Sequence, residues 1–229
     1  MKNLTIVLLS CFTVLISCKQ KSNPGSDISV KPEYSEQLSA TSNNLQSEIK
    51  IIPIEHATTV LEWGDITIYI DPVGGAEVFK NQKQPDLILI TDLHGDHLSV
   101  ETLEALNTSN AKIMVPKDVA DKIPSKFTPQ LDVLNNGDSK ERFGITVEAI
   151  PMYNLREEAK SFHEKGRGNG YVLNLGSKRY YFSGDTEDIP EMRALKNIDK
   201  AFICMNLPYT MTEESAASAV LEFKPKEVY

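Results

Sequence analysis

Apolar residues in this chain come in short bursts that begin near residue 49 and recur to the end. Residues 49–54, 59–63 and 66–70 are rich in β-branched and aromatic side chains, and Gly64-Asp65 supplies a turn between the last two. They predict short strands in an antiparallel meander. Residues 87–90, Leu-Ile-Leu-Ile, form an unbroken apolar run flanked by Pro85 and Asp86, the composition of a buried strand and not of a helix. Ser99 then stands as an N-cap ahead of Val-Glu-Thr-Leu-Glu-Ala-Leu, whose apolar residues fall at helical spacing. Further along, 113–116 reads as a strand, 117–122 as a short helix, 131–134 as a strand, 135–138 as a turn and 145–151 as a strand with imperfect alternation. Residues 171–175 and 179–182 flank Gly176-Ser177 as a hairpin, and Asp188 is the expected N-cap of a helix starting near Ile189-Pro190. A buried strand over 200–205, a capped amphipathic helix over 212–223 and a strand opening at 226–229 complete the pattern. Strands interleaved with short helices predict an α/β fold, and periodicity carries the prediction no further.

The first residues follow a different rule. Met1-Lys-Asn is a short positive start, and residues 4–16 are an apolar run too short to span a bilayer comfortably. Leu15-Ile-Ser-Cys18 resembles a bacterial lipobox, in which the cysteine is acylated and becomes the new N-terminus. Residues 19–47 are rich in Ser, Asn, Gln, Lys and Glu without a sustained period, the composition of a flexible tether. The expected organisation is therefore a lipoprotein signal peptide over 1–17, a tether over 18–48 and one globular domain over 49–229. It places the protein in the cell envelope, lipid-anchored to a membrane.

Charge and cysteine count narrow the classes. A formal net charge of −8 argues against a nucleic-acid binder, which needs a basic face. Of the 3 cysteines, Cys11 lies in the expected signal and Cys18 at the lipidation site, which leaves Cys204 without an intrachain disulfide partner. Cys204 sits in the apolar run Ala-Phe-Ile-Cys and reads as a small buried hydrophobe.

The chemistry gathers behind the strand at 87–90. Thr91-Asp-Leu-His-Gly-Asp-His97 offers four metal-binding side chains: Asp92, His94, Asp96 and His97. Asp92 and His94 share a face of an extended segment, and Gly95 lets the backbone turn so that Asp96 and His97 approach from a second direction. Ser183-Gly-Asp-Thr186 presents a second carboxylate, Asp185, at a strand end behind a glycine. Residues 154–168 are polar and end rich in glycine, a loop that carries His163, Lys165 and Arg167; an anionic substrate group could meet Arg167 or Lys165. Asn154 and Tyr209 (with Asn206) are the other candidates to line a cleft and orient substrate. His56 stands either in the same cleft or as a structural histidine, and Asp71-Pro72 reads as a turn or as support for a metal ligand.

Thr-Asp-Leu-His-Gly-Asp-His resembles the His-x-His-x-Asp-His signature of the metallo-β-lactamase superfamily, with Asp92 where the first histidine stands. The subgroup it most resembles contains L-ascorbate-6-phosphate lactonase; His56-Ala57 and Asp71-Pro72 match pairs found there. The resemblance implies a four-layer αββα sandwich and a metal-dependent hydrolase. Its ligands would be Asp92, His94, Asp96, His97, bridging Asp185 and His163, with Asp96 orienting or deprotonating the attacking water. Asn154 lies where the family often supplies a histidine. The metal would be zinc; a carboxylate at Asp92 tilts the site toward Mn, Fe or Mg. The family's last histidine follows a later strand, so the chain reads as C-terminally truncated at Tyr229. The implied substrate is a small molecule carrying a lactone, ester, amide or phosphodiester. The competing class is a lipid-anchored binding protein with a degenerate metal site.

Overall fold

A computed structural model describes residues 48–229. The readings made for the signal peptide, Cys18 and the tether up to residue 47 lie outside the described residues.

The described chain forms two six-stranded sheets, each built from consecutive strands. The first runs β1 (Lys50–Glu55), β2 (Thr58–Trp63), β3 (Ile66–Ile70), β4 (Leu87–Leu89), β5 (Lys112–Val115) and β6 (Leu131–Val133) in spatial order. β1 to β3 pair antiparallel and β3 to β6 parallel. The second contains β7 (Ser139–Arg142), β8 (Ile145–Met152), β9 (Gly168–Leu175), β10 (Lys178–Phe182), β11 (Lys200–Phe202) and β12 (Glu227–Val228).

β4 shows why its sequence is apolar throughout. Leu87 and Leu89 point between the sheets, against Val147, Ala149, Tyr171 and Phe182. Ile88 and Ile90 point outward, into a layer with Leu103, Val119 and Phe127. All four are fully buried, and burying each such side chain is worth about 1.5–3 kcal/mol. On the far side, Val172, Tyr181 and Ala201 of the second sheet pack under the helices Pro190–Arg193 and Glu213–Phe223. Helix, sheet, sheet, helix is the αββα order. Ser99 caps the helix Val100–Ala105 by accepting from Thr102 N, and Thr212 caps Glu213–Phe223 by accepting from Ser215 N.

Some elements differ from the sequence pattern. β7, Ser-Lys-Glu-Arg, carries no apolar signal because it is an edge strand with alternating exposed and half-buried positions. β9 starts at Gly168, ahead of residue 171, and β11 ends at Phe202, short of residue 205. Asp188 is not the N-cap of Pro190–Arg193; Ile189 holds that position, and Asp188 instead accepts from Arg193 Nε and Nη2 at 2.7 and 2.6 Å.

The sheets meet closely beneath the loop that follows β4. Asn169 N donates to Thr91 O at 2.9 Å and the Tyr171 hydroxyl to Ile90 O at 2.9 Å. Glycine permits this approach: a Cβ on Gly168 would lie 2.9 Å from Thr91 O. Gly184 adopts φ 60°, and a Cβ there would lie 3.1 Å from Thr91 Cβ. Loops from both sheets thus converge on one seam.

Candidate metal centre

Four chain segments deliver side chains to that seam. The β1–β2 hairpin turns on His56-Ala57, and His56 takes a left-handed φ of 47° at its tip. Its Nε2 lies 3.0 Å from Asp96 Oδ2. Asp92, His94, Asp96 and His97 follow β4, where His97 N and Leu98 N both donate to His94 O and close a tight turn before the Ser99 cap. The loop between β8 and β9 brings His163; Asn154 N donates to His163 O at 2.9 Å, and Glu187 accepts from Leu155 N and Arg156 N. Asp185 arrives from the end of β10 behind Gly184.

The donor atoms form two groups, each within 4.8 Å: His56, Asp96 and His97 on one side, and Asp92, His94 and His163 on the other. Asp185 stands between them, its Oδ2 3.4 Å from both His97 Nε2 and His163 Nε2. Those two ring nitrogens are buried without a hydrogen-bond partner among the described residues. A buried, unpartnered imidazole nitrogen aimed at carboxylates is the donor chemistry a divalent cation satisfies. The residues present therefore fit a metal.

Each buried imidazole is set from behind. His97 Nδ1 lies 2.8 Å from Asp71 Oδ2, and the same carboxylate accepts from Thr91 N and Thr91 Oγ1. This carboxylate–histidine arrangement fixes the ring and leaves Nε2 facing the site. Asp71 thus supports a histidine from beneath instead of reaching the cleft itself. Burial alone would lower the His97 pKa, but the charges of Asp71 and Asp185 outweigh it and hold the imidazole up to about 11. For His163 burial prevails over Asp185 and Asp92, so its pKa falls below the ordinary value. Its Nδ1 lies 3.1 Å from Tyr209 O, which selects the tautomer with a free Nε2. Burial raises the Asp185 carboxyl, yet His97 and then His163 draw it below the usual range.

A cleft of about 310 Å³ opens onto this centre, lined by His94, Asp96, Phe162, His163, Asp185, Asn206 and Tyr209. The Tyr209 ring packs edge-to-face on Phe162 at 5.0 Å, and exposed Met205 and Leu207 stand next to Asn206 in the chain. Asn154 sits behind His163 and not in the cleft: it is buried, and its Nδ2 donates to Ala159 O and Tyr209 O at 2.9 and 2.6 Å. Arg167 is tied to Asp92 beside His94 and is not among the residues lining the cleft. Lys165 pairs with Glu191 at 2.6 Å over the Tyr153 ring. Burial pushes the Cys204 thiol up to about 11, and its Sγ bonds to Thr186 O. His56 is the residue that the sequence-based ligand set omits, because its only signal is a matched His-Ala pair 40 residues from Asp96.

An αββα sandwich with histidines and carboxylates from both sheets at one seam defines a metal-binding hydrolase-type scaffold. The model of the beta-lactamase superfamily domain matches residues 50–229, and the chain belongs to that family. A UPF0173 metal-dependent hydrolase of Pyrococcus abyssi is 30% identical over 189 residues, covering 79% of this chain and 82% of that protein. Among solved structures, a metal-dependent hydrolase from Parabacteroides distasonis is 37% identical with a TM-score of 0.73, covering 80% of this chain and 81% of its own. Igni18, a metallo hydrolase from Ignicoccus hospitalis, shares the fold at 22% identity and a TM-score of 0.64, covering 79% of this chain and 80% of its own.

Proposed function

We propose that this protein is a metal-dependent hydrolase acting on a small carbonyl substrate, an ester or lactone, with an apolar flank. The observation that carries the reading is the pair of unpartnered buried nitrogens, His97 Nε2 and His163 Nε2, flanking Asp185 at the foot of the cleft. A divalent ion held by His56, Asp96, His97 and Asp185 would polarise the scissile group and lower the pKa of bound water from ~15.7 to about 7. Asp96 is half exposed, lines the cleft and is steadied by His56, so it is placed to hold or accept the proton of the attacking water. Phe162 and Tyr209 offer an aromatic wall to the substrate's apolar part, and Asn206 a polar contact.

Among the described residues the lining includes no Lys or Arg, which favours a neutral lactone or ester over a phosphodiester. The lactone agrees with the resemblance to the lactonase subgroup, whereas the phosphate that the named member's substrate carries would find no Lys or Arg in the described lining to meet it. The second reading, a binding protein with a degenerate metal site, draws on the engagement of Asp92 by Arg167. The chain purified metal-free, reconstituted with Zn²⁺ or Mn²⁺ and assayed on a panel of lactones, esters, amides and a generic phosphodiester separates the two. Metal-dependent turnover, strongest on lactones or esters, is the expected result. Retained metal below about a tenth of an equivalent, with no turnover, supports the binding protein.

The lipobox-like stretch before Cys18 supports an envelope location in which the hydrolase domain is tethered to a membrane. Metabolic labelling with a fatty-acid analogue is expected to tag the wild type and not Cys18→Ala. Equal labelling of both would remove this part of the proposal.

A further inference from the structure

The two halves of the centre are not electrically alike. Asp92 is fully buried, and the Arg167 guanidinium holds it with two bonds: Nη2 to Oδ2 at 2.9 Å and Nε to Oδ1 at 3.2 Å. The same Nη2 lies 3.5 Å from His94 Nε2 and also donates to Phe162 O. His94 Nδ1 is 2.9 Å from Asp92 Oδ2, and His163 Nε2 is 3.8 Å from it. A guanidinium thus faces the Asp92 and His94 donors of one half. In the other half, His56, Asp96 and His97 meet no Lys or Arg among the described residues. Among the described residues, Asp96 pairs with His56 and His97 alone, and Asp185 with His97 and His163 alone.

We propose that Arg167 is a resident cation of the Asp92 half-site, so that the protein takes up one divalent ion, in the His56–Asp96–His97 half. Guanidinium cannot give up its proton in a protein, so its charge persists at any working pH. Its planar fork matches a carboxylate edge, which makes the pair with Asp92 geometrically complete. An ion entering the Asp92 half must displace both bonds and leave a guanidinium in a largely buried place, whereas an ion entering the other half has only the His56–Asp96 hydrogen bond and dissociable imidazole protons to displace. Aspartate at position 92 belongs to the same device: a neutral imidazole there would not bind guanidinium in this two-pronged way. The inference rests on the metal-dependent reading above and adds which half of the centre is loaded.

The test counts metal independently of turnover. The purified chain, Arg167→Met, Arg167→Lys, His94→Ala and His56→Ala are each incubated with excess Mn²⁺ or Zn²⁺, desalted and analysed for bound ion, with circular dichroism as the check on folding. One equivalent is expected for the wild type and for Arg167→Lys, which keeps the charge. Arg167→Met is expected to approach two equivalents. His94→Ala should retain the single ion, and His56→Ala, which removes a ligand, should weaken it beyond the ~10–100-fold typical of a residue that only supports one. Two ions of similar affinity in the wild type would overturn the proposal, and that result holds even if Arg167→Met fails to fold. A folded Arg167→Met that stays at one equivalent would overturn it too, as would loss of the ion from His94→Ala with retention in His56→Ala. A wild-type chain that takes up no ion removes the metal-dependent reading as well, whereas two equal ions leave that reading standing.

Discussion

Asp185→Asn is expected to lower hydrolysis by more than ~100-fold, beyond the 10–100-fold typical of a residue that merely supports a ligand. The substitution keeps the shape of the side chain and removes its charge. Asp185 Oδ2 lies 3.4 Å from both His97 Nε2 and His163 Nε2, and its carboxylate is held ionised by those neighbours against the effect of burial. An amide in this place offers one weak oxygen and a nitrogen that repels a cation, so both the grip on the ion and the field at the cleft foot decline. Bound metal, turnover and thermal unfolding measured on the same preparation separate these effects. A folded Asp185→Asn with activity within about tenfold of the wild type would show that this carboxylate does not serve the reaction.

Asp71→Asn is expected to weaken metal binding by about 10–100-fold without touching the cleft. Asp71 accepts from Thr91 N, Thr91 Oγ1 and His97 Nδ1 at 2.7, 2.6 and 2.8 Å, and an amide satisfies that set poorly. Both side chains of the pair are almost fully buried, and removing one partner of such a pair costs about 3–5 kcal/mol. The metal-free protein adds a pH signature. Burial opposes the charged His97 ring, but Asp71 and Asp185 hold its pKa at about 11, against an ordinary value near 6.5. The folded state therefore binds the extra proton between these values, and stability falls with rising pH where the folded state holds more protons. The contribution is whole below about pH 6.5 and is lost as pH climbs through about 11. Denaturant unfolding of metal-free wild type should decline across this window, and Asp71→Asn should flatten the slope. Identical slopes for both proteins would remove Asp71 as the source of the effect.

The parts of the molecule legible in the sequence are those whose physics is local. The run at 87–90 must be a strand covered on both faces, because an apolar stretch of that length beside polar loops has no other place to go. The doubled donors behind it declare themselves by residue type, and the Gly-Asp at 184–185 also by a glycine that allows close approach; Gly95 has open space around it and no left-handed φ. The four-layer order came from family resemblance, since periodicity does not reveal which face of a sheet meets another sheet. β7 escaped notice because both of its faces tolerate charge at the sheet edge. His56 and Arg167 needed the fold. They act on partners 40 and 75 positions away, and a hairpin tip or loop arginine carries no sign of what it will touch. Asn154, polar and next to a loop, read as a cleft residue; its amide instead answers two backbone carbonyls behind His163.

The division of labour between the sheets has a mechanical consequence. Residues 50–133 build one sheet and supply His56 and the 92–97 cluster, while 139–228 build the other and supply His163 and Asp185. An ion gripped by Asp185 and by the 92–97 cluster works as a clasp across the sandwich. At 100 times its dissociation constant it would hold the halves together with about 2.7 kcal/mol. Prising the leaves apart and releasing the ion would then be a single event.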